Sequence, residues 1–299
     1  MNLSSNTLFH YTKSLSNLKS ILQHRFKLAY CKEEITIGNE KHVGYYPMVT
    51  FCDIPLSLAN KHIKKYGNYA IGLKKEWGVT HRLNPVIYLD SNSLISEDII
   101  SSRKNIDNFF EIQKSYLTER GDKLDDTIQV LTDMANTKNF DLEYINNLFN
   151  FKMNLDKELD KVEAHTLEIK NLSQKNFNIF RYAKNYEGNL ERNGIPHSSY
   201  RFYDEREWRF VPSISSGIPN LDEDGYRKYR GSKNTVKPLL DSPILNFSAS
   251  DIKYIIVEKA SEISDIIAFM RRIDNFVNSN EVDVLSTKII TLEQLNEDF

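Results

Sequence analysis

LFHYTKSLSNLKSIL, residues 8–22, changes its hydrophobic period midway, and that change sets the fold class. Leu8 to Thr12 is a run of apolar, aromatic and β-branched residues closing on His10-Tyr11-Thr12, which predicts a strand with a polar exit. Leu15, Leu18, Ile21, Leu22 and Phe26 then recur at helical spacing behind Ser14, an N-cap residue, so an amphipathic helix follows the strand directly. Polar side chains at strand ends are often the ones that hold ligands, which makes His10, Tyr11 and Thr12 the first candidates for a site.

Working outward, MVTF (48–51), YAIGL (69–73) and PVIYL (85–89) are short apolar runs bounded by turn residues and predict further strands. From Ser91 to about Tyr186 the texture changes. No proline lies between Pro85 and Pro196, and Leu148, Leu155, Leu159, Val162, Ile169 and Leu172 form a seam in a charged background, which predicts packed helices. Beyond Pro196, WRFVP (208–212), IKYIIV (252–257) and VDVLS (282–286) restore the strand texture. Ile263, Ile266, Ile267, Met270 and Ile273 predict a helix after Ser261. The organisation expected is an α+β core domain built from both chain ends, residues 1–90 and 187–299, with residues 91–186 as a helical insertion.

Composition narrows the function classes. A chain of 299 residues with 40% apolar residues can bury a real core, and a formal charge of -2 gives no global basic footprint for nucleic acid. Cys31 and Cys52 are the two cysteines, which excludes a disulfide scaffold or a zinc knuckle. The start, MNLSSNTLFHYTK, has neither the basic segment nor the apolar run of a secretory signal, and no apolar run approaches membrane-spanning length, so the expected location is cytoplasmic, without a membrane partner.

The late stretch FYDEREWRF (202–210), taken as extended, puts Tyr203, Glu205, Glu207 and Arg209 on one face. Two readings stand side by side. The face is either a solvated ladder of Glu and Arg side chains or a covered one, on which one carboxyl has a raised pKa and Arg209 is the local partner. His10 likewise is either a satisfied structural residue or a site residue. Cys52 reads as a small buried cysteine ahead of a nucleophile. His10, Asp53, Glu205 and Glu207 can also be assembled on paper into a divalent-metal site for phosphodiester cleavage, although no spacing requires it.

LFHYTKSLSNLKSIL, AYCKEEI, YPMVTFCDIPLS, KYGNYAIGLKKEWG, LNPVIYL and FYDEREWRFVP together resemble the AbiGi family of abortive phage-resistance proteins, over roughly residues 8–90 and 200–290. Members of that family are described as antitoxins, which implies a toxin partner. A broader resemblance, resting on a histidine-bearing first strand, a helix of the form NLxSIL and a late glutamate on a strand, is similar to the ADP-ribosyltransferase fold, especially its DarT-type enzymes. It implies a split β-sheet core and NAD as substrate. Carried over, it implies that His10 holds the nicotinamide riboside with Tyr11 and Thr12 beside it. Glu207 would be the catalytic carboxylate and Glu205 the acceptor-side one, with Thr50, Tyr66 and Arg209 among the NAD-binding residues. Thr50-Phe51-Cys52 stands where many such transferases carry a Ser-Thr-Ser-like strand, and the aromatic that stacks on nicotinamide is one of Tyr45, Tyr46 and Tyr66. The expected function is therefore an anti-phage enzyme that uses NAD to modify a nucleic-acid or protein acceptor. The alternatives are a non-catalytic antitoxin or regulator that holds a partner toxin through the helical insertion, which also offers a surface for oligomers, and a metal-dependent nuclease.

Overall fold

The computed structural model describes residues 5–58, 63, 66–135, 142–176, 179–192, 195–213, 216–231, 240, 242–276 and 279–298. The chain divides into two compact units, one formed by Met1–Ser93 with Phe180–Phe299 and the other by Leu94–Ile179. Both helix and strand are well represented, and the fold is α+β.

In the first unit the chain runs β1 (Thr7–Thr12), α1 (Leu15–His24), β2 (Phe26–Lys27), β3 (Ala29–Ile37), β4 (Glu40–Cys52), β5 (Tyr69–Lys74), α2 (Lys75–Thr80), β6 (Asn84–Pro85) and β7 (Ile87–Leu89). The second unit consists of two long helices, α3 (Leu94–Ala135) and α4 (Leu142–Asn176). The chain then continues through α5 (Ile179–Tyr182), β8 (Ala183–Asn185), β9 (Glu187–Arg192), β10 (Ile195–Arg201), β11 (Glu207–Phe210), α6 (Glu223–Gly231), β12 (Pro243–Leu245) and β13 (Ile252–Val257). It closes with α7 (Ile263–Met270), α8 (Ser279–Ser286), β14 (Ile289–Thr291) and α9 (Leu292–Asp298).

The main sheet has the order β14-β13-β5-β1-β4-β11-β6, with β3 folded back on β4. The opening stretch forms as its period predicts. Ser14 accepts the N–H of Asn17 and starts α1, and the helix lays Leu18 and Leu22, four residues apart, onto the sheet face that carries Leu8, Ile71 and Leu73. Both leucines are fully buried, each stabilising the fold by roughly 1.5–3 kcal/mol relative to an exposed side chain. Phe26, Phe51 and Trp77 extend this core as an aromatic cluster.

The sheet is unevenly stitched at β1. Its ladder with β5 runs from Thr7 opposite Lys74 to Thr12 opposite Tyr69, whereas its register with β4 is confined to Phe9 opposite Cys52. Just past that pair the His10 ring spans the gap, Nδ1–H donating to the Thr50 carbonyl at 2.8 Å.

Three local expectations are corrected. Residues 202–210 are not one extended strand: Phe202–Glu205 form a 3-10 turn, Arg206 takes a left-handed conformation at φ 45°, and the strand begins at Glu207. VDVLS belongs to α8, and the strand in that region is Ile289–Thr291, paired parallel to β13. Val-x-Val-Leu satisfies both a period of two and the i, i+3 helical step, and packing chooses the helix, burying Val282 and Leu285. Of the PVIYL run, Ile87–Leu89 form β7 in a separate two-stranded sheet with β8. The Leu148 to Leu172 seam lies on α4, but its side chains fall outside the described residues.

Gly67 locks the strand end at Thr12. It sits at φ 130°, and a Cβ there would come within 2.2 Å of the Thr12 carbonyl oxygen. Gly67→Ala should destabilise the protein by at least about 1–3 kcal/mol, read as a lowered midpoint in urea unfolding.

Candidate functional site

Glu205 and Glu207 reach the same place although a turn separates them. The register of β11 against β4 sets Glu207 opposite Cys52 and Arg209 opposite Thr50, so both side chains stand on the sheet face that also carries Phe9. Glu205 arrives from the 3-10 turn before the strand. These two carboxylates, with His10, Tyr11, Thr50, Cys52 and Tyr66, line a cavity of about 860 Å³. Thr12 and Arg209 are buried and are not among its lining residues.

The cavity floor is a chain of buried charges. Arg209, with no exposed surface, donates from Nε to Glu207 Oε1 at 2.7 Å and from Nη2 to Glu33 Oε1 at 2.8 Å, while its Nη1 caps the Arg181 carbonyl at 2.9 Å. Lys184 Nζ bridges the carboxylate pair, 2.8 Å from Glu205 Oε2 and 2.9 Å from Glu207 Oε2. The hydroxyls of Tyr66 and Tyr200 both donate to Glu205 Oε1, the latter at 3.1 Å. Tyr88 accepts the Glu207 N–H at 2.9 Å. Lys184 on β8 and Tyr88 on β7 face each other in register, so the two strands that flank the helical unit in sequence both hold the carboxylate pair.

Charges this deeply buried are tolerable only because they are paired. Burial would raise the Glu207 pKa, but Arg209 and Lys184 outweigh it and hold the carboxyl down at about 2. Glu33 goes the other way: burial raises its pKa despite Arg209. Burial works against the Lys184 ammonium too, yet Glu207, Glu33 and Glu205 push its pKa well above the ordinary lysine value. His10 is lowered by burial and kept neutral, its Nδ1–H committed to Thr50, which leaves Nε2 as the ring acceptor. The Tyr11 hydroxyl is buried without a hydrogen-bond partner among the described residues, and burial raises its pKa. Cys31, also on the lining, has its thiol pushed up to about 12 by burial and by Glu33, so it is no thiolate nucleophile at neutral pH.

A family model described as "Putative abortive phage resistance protein AbiGi, antitoxin" matches residues 24–258. The chain belongs to the AbiGi family. Among curated proteins it is similar to the abortive phage resistance protein AbiGi of Lactococcus lactis subsp. cremoris, 27% identical over 269 residues that cover 85% of this chain and 89% of the relative. No solved structure matches.

For this AbiGi-family chain the face of Glu207 and Arg209 is the covered one and not a solvated ladder, Arg209 is the local partner, and Glu207 is the carboxyl whose pKa is lowered. The metal alternative is not assembled either. Asp53 pairs with Lys75 at 2.7 Å and accepts the Ser5 N–H at 2.9 Å, and no group of three or more His, Cys, Asp or Glu able to hold a metal ion occurs among the described residues. Of the three tyrosines considered, Tyr66 lines the cavity, whereas Tyr45 stacks on Tyr226, with ring centroids 3.9 Å apart. No helix among the described residues is long and apolar enough to cross a membrane.

Lys184, Glu33, Tyr88 and Tyr200 carry much of the site and were not singled out in the sequence. Glu33 had a signal: in AYCKEEITI it shares a strand face with Ile35 and Ile37, both buried, which marks an inward carboxylate. Lys184 had none, because its strand is three residues long.

Two outcomes follow from this network. Arg209→Ala, which leaves Glu207 and Glu33 buried without their guanidinium, should cost about 3–5 kcal/mol in urea unfolding. The lowered Glu207 pKa contributes stability that is full above its unfolded value of about 4.3 and is lost as the pH falls toward about 2. The stability gap between wild type and Glu207→Gln should accordingly narrow across that window, whereas the raised Glu33 pKa acts with the opposite sign in the wild type.

Proposed function

We propose that this protein serves abortive phage resistance as an antitoxin-type binding protein that holds a partner toxin through its helical unit. The observation that carries this reading is the state of the carboxylate pair. Glu207 spends both oxygens on Arg209 and Lys184, and Glu205 spends both on Lys184, Tyr66 and Tyr200. A carboxylate clamped between two internal cations has little field left for positive charge developing on a substrate. The helical unit supplies what a binding protein needs, with large apolar side chains left in solvent on both helices, Ile112 at 67% and Phe151 at 60% exposure among them.

A second reading, glycosyl transfer from NAD by an ADP-ribosyltransferase-like core, is favoured by the meeting of His10, Thr50, Tyr66, Glu205 and Glu207 on one cavity beside a weakly stitched β1–β4 junction. In this reading Tyr11, Thr12 and Arg209 back the site, and the acceptor is a nucleic acid or a protein. The fit to NAD is partial. The aromatic and carboxylate lining suits a nicotinamide riboside, and NAD would supply a labile glycosidic bond there. A pyrophosphate would meet Glu33, Glu34 and Glu187 against Lys32, since Lys184 is already committed.

Nicotinamide release from NAD by purified protein, with and without extract of phage-infected cells, separates the two. The antitoxin reading expects no release, and expects Glu205→Gln, which keeps an acceptor for both tyrosines, to leave phage plating at the native locus unchanged. Release by wild type that disappears in a folded Glu207→Gln variant would establish the transferase reading instead.

A further inference from the structure

The helix α3 carries a face that its packing against α4 leaves open. Stepping by three and four residues from Ile95 to Asp133, every position on this face is exposed. One column runs at seven-residue steps through Ile95, Ser102, Phe109, Tyr116, Lys123 and Val130, four of the six apolar or aromatic. The neighbouring column runs Asp98, Asn105, Ile112, Glu119, Asp126 and Asp133, four of the six acidic. Four apolar members at steps that are multiples of seven, with Ile112 beside them, offer a seam that a second helix can follow, and Ile112 at 67% and Val130 at 55% exposure leave it uncovered.

Charge says what kind of helix. Glu119 is paired with Lys123 at 2.6 Å, but Asp98, Asp126 and Asp133 have no lysine or arginine partner among the described residues. The whole segment Leu94–Ile179 holds 16 acidic against 11 basic residues, although the complete chain is only two charges from neutral. A second copy of this chain would bring acid to acid across the seam, which is repulsive.

We propose that this face of α3 docks a basic amphipathic helix of a partner protein, whose apolar seam covers Ile95, Ile112, Tyr116 and Val130 and whose Lys or Arg residues meet Asp98, Asp126 and Asp133. The proposal rests on the partner-holding reading above and names the chemistry of that partner.

The test uses the full chain and two labelled synthetic helical peptides with the same leucine seam, one flanked by lysines and one by glutamates, followed by fluorescence anisotropy. The lysine peptide should bind at least about tenfold more tightly than the glutamate peptide and weaken as salt rises. Ile112→Ser with Val130→Ser should weaken it at least about tenfold at an unchanged melting temperature, and Asp126→Asn with Asp133→Asn should flatten its salt dependence. Equal binding of the two peptides, no binding of the lysine peptide, or binding indifferent to the serine pair overturns the proposal. So does a concentration-dependent dimer, seen by sedimentation, that the serine pair abolishes. Nicotinamide release is scored on the same preparations. Release with peptide binding intact defeats the antitoxin reading and spares the docking face, whereas lost binding without release defeats the docking face alone.

Discussion

Arg209 is fully buried, and its guanidinium holds Glu207 and Glu33 while also donating to the carbonyl of Arg181. The rest of the site depends on that geometry. A planar fork of five donors in fixed geometry meets two carboxylates from separate strands and a backbone carbonyl at once. Through Glu33 it ties β3 to β11, and through Glu207 it fixes the oxygen that Lys184 then shares with Glu205. The two tyrosines complete Glu205. Arg209, Lys184, Glu205 and Glu207 are each held by at least two other members of the floor.

How much of this is legible in the sequence depends on the range of the interaction. β1 and α1 are legible because Ser14, Leu18 and Leu22 act within one turn or two, and their pattern is complete in fifteen residues. The convergence of Glu205, Glu207 and Arg209 is half legible. Parity along the strand places Glu207 with Arg209, but the left-handed Arg206 that delivers Glu205 from a turn has no mark in FYDEREWRF. Lys184 is illegible, since its partners lie 21 and 23 residues away and its strand is formed by pairing with β7 rather than by its own propensity. The lowered Glu207 pKa is illegible for the same reason: a two-carboxylate face suggests repulsion until the two cations are in place.

The two units divide the physical resources of the chain. The first unit turns one charged network inward, with Glu33, Glu205, Glu207 and Arg209 all buried. The second leaves acidic and apolar groups in solvent along α3. An inward network specifies a single arrangement, because half-paired buried ions are costly, whereas outward apolar groups gain their free energy only when something covers them.

The strands flanking the helical unit run parallel, β7 with β8, and not antiparallel as in a hairpin. A parallel pair cannot be joined by a tight turn, because the chain must travel back past the strands before re-entering. The segment from Asp90 to Tyr182 is therefore, topologically, a crossover connection that the small sheet requires in some form. Relatives or engineered versions are free to lengthen, shorten or replace its helices, but any replacement shorter than about a dozen residues would unpair β8 and withdraw Lys184 from the carboxylates.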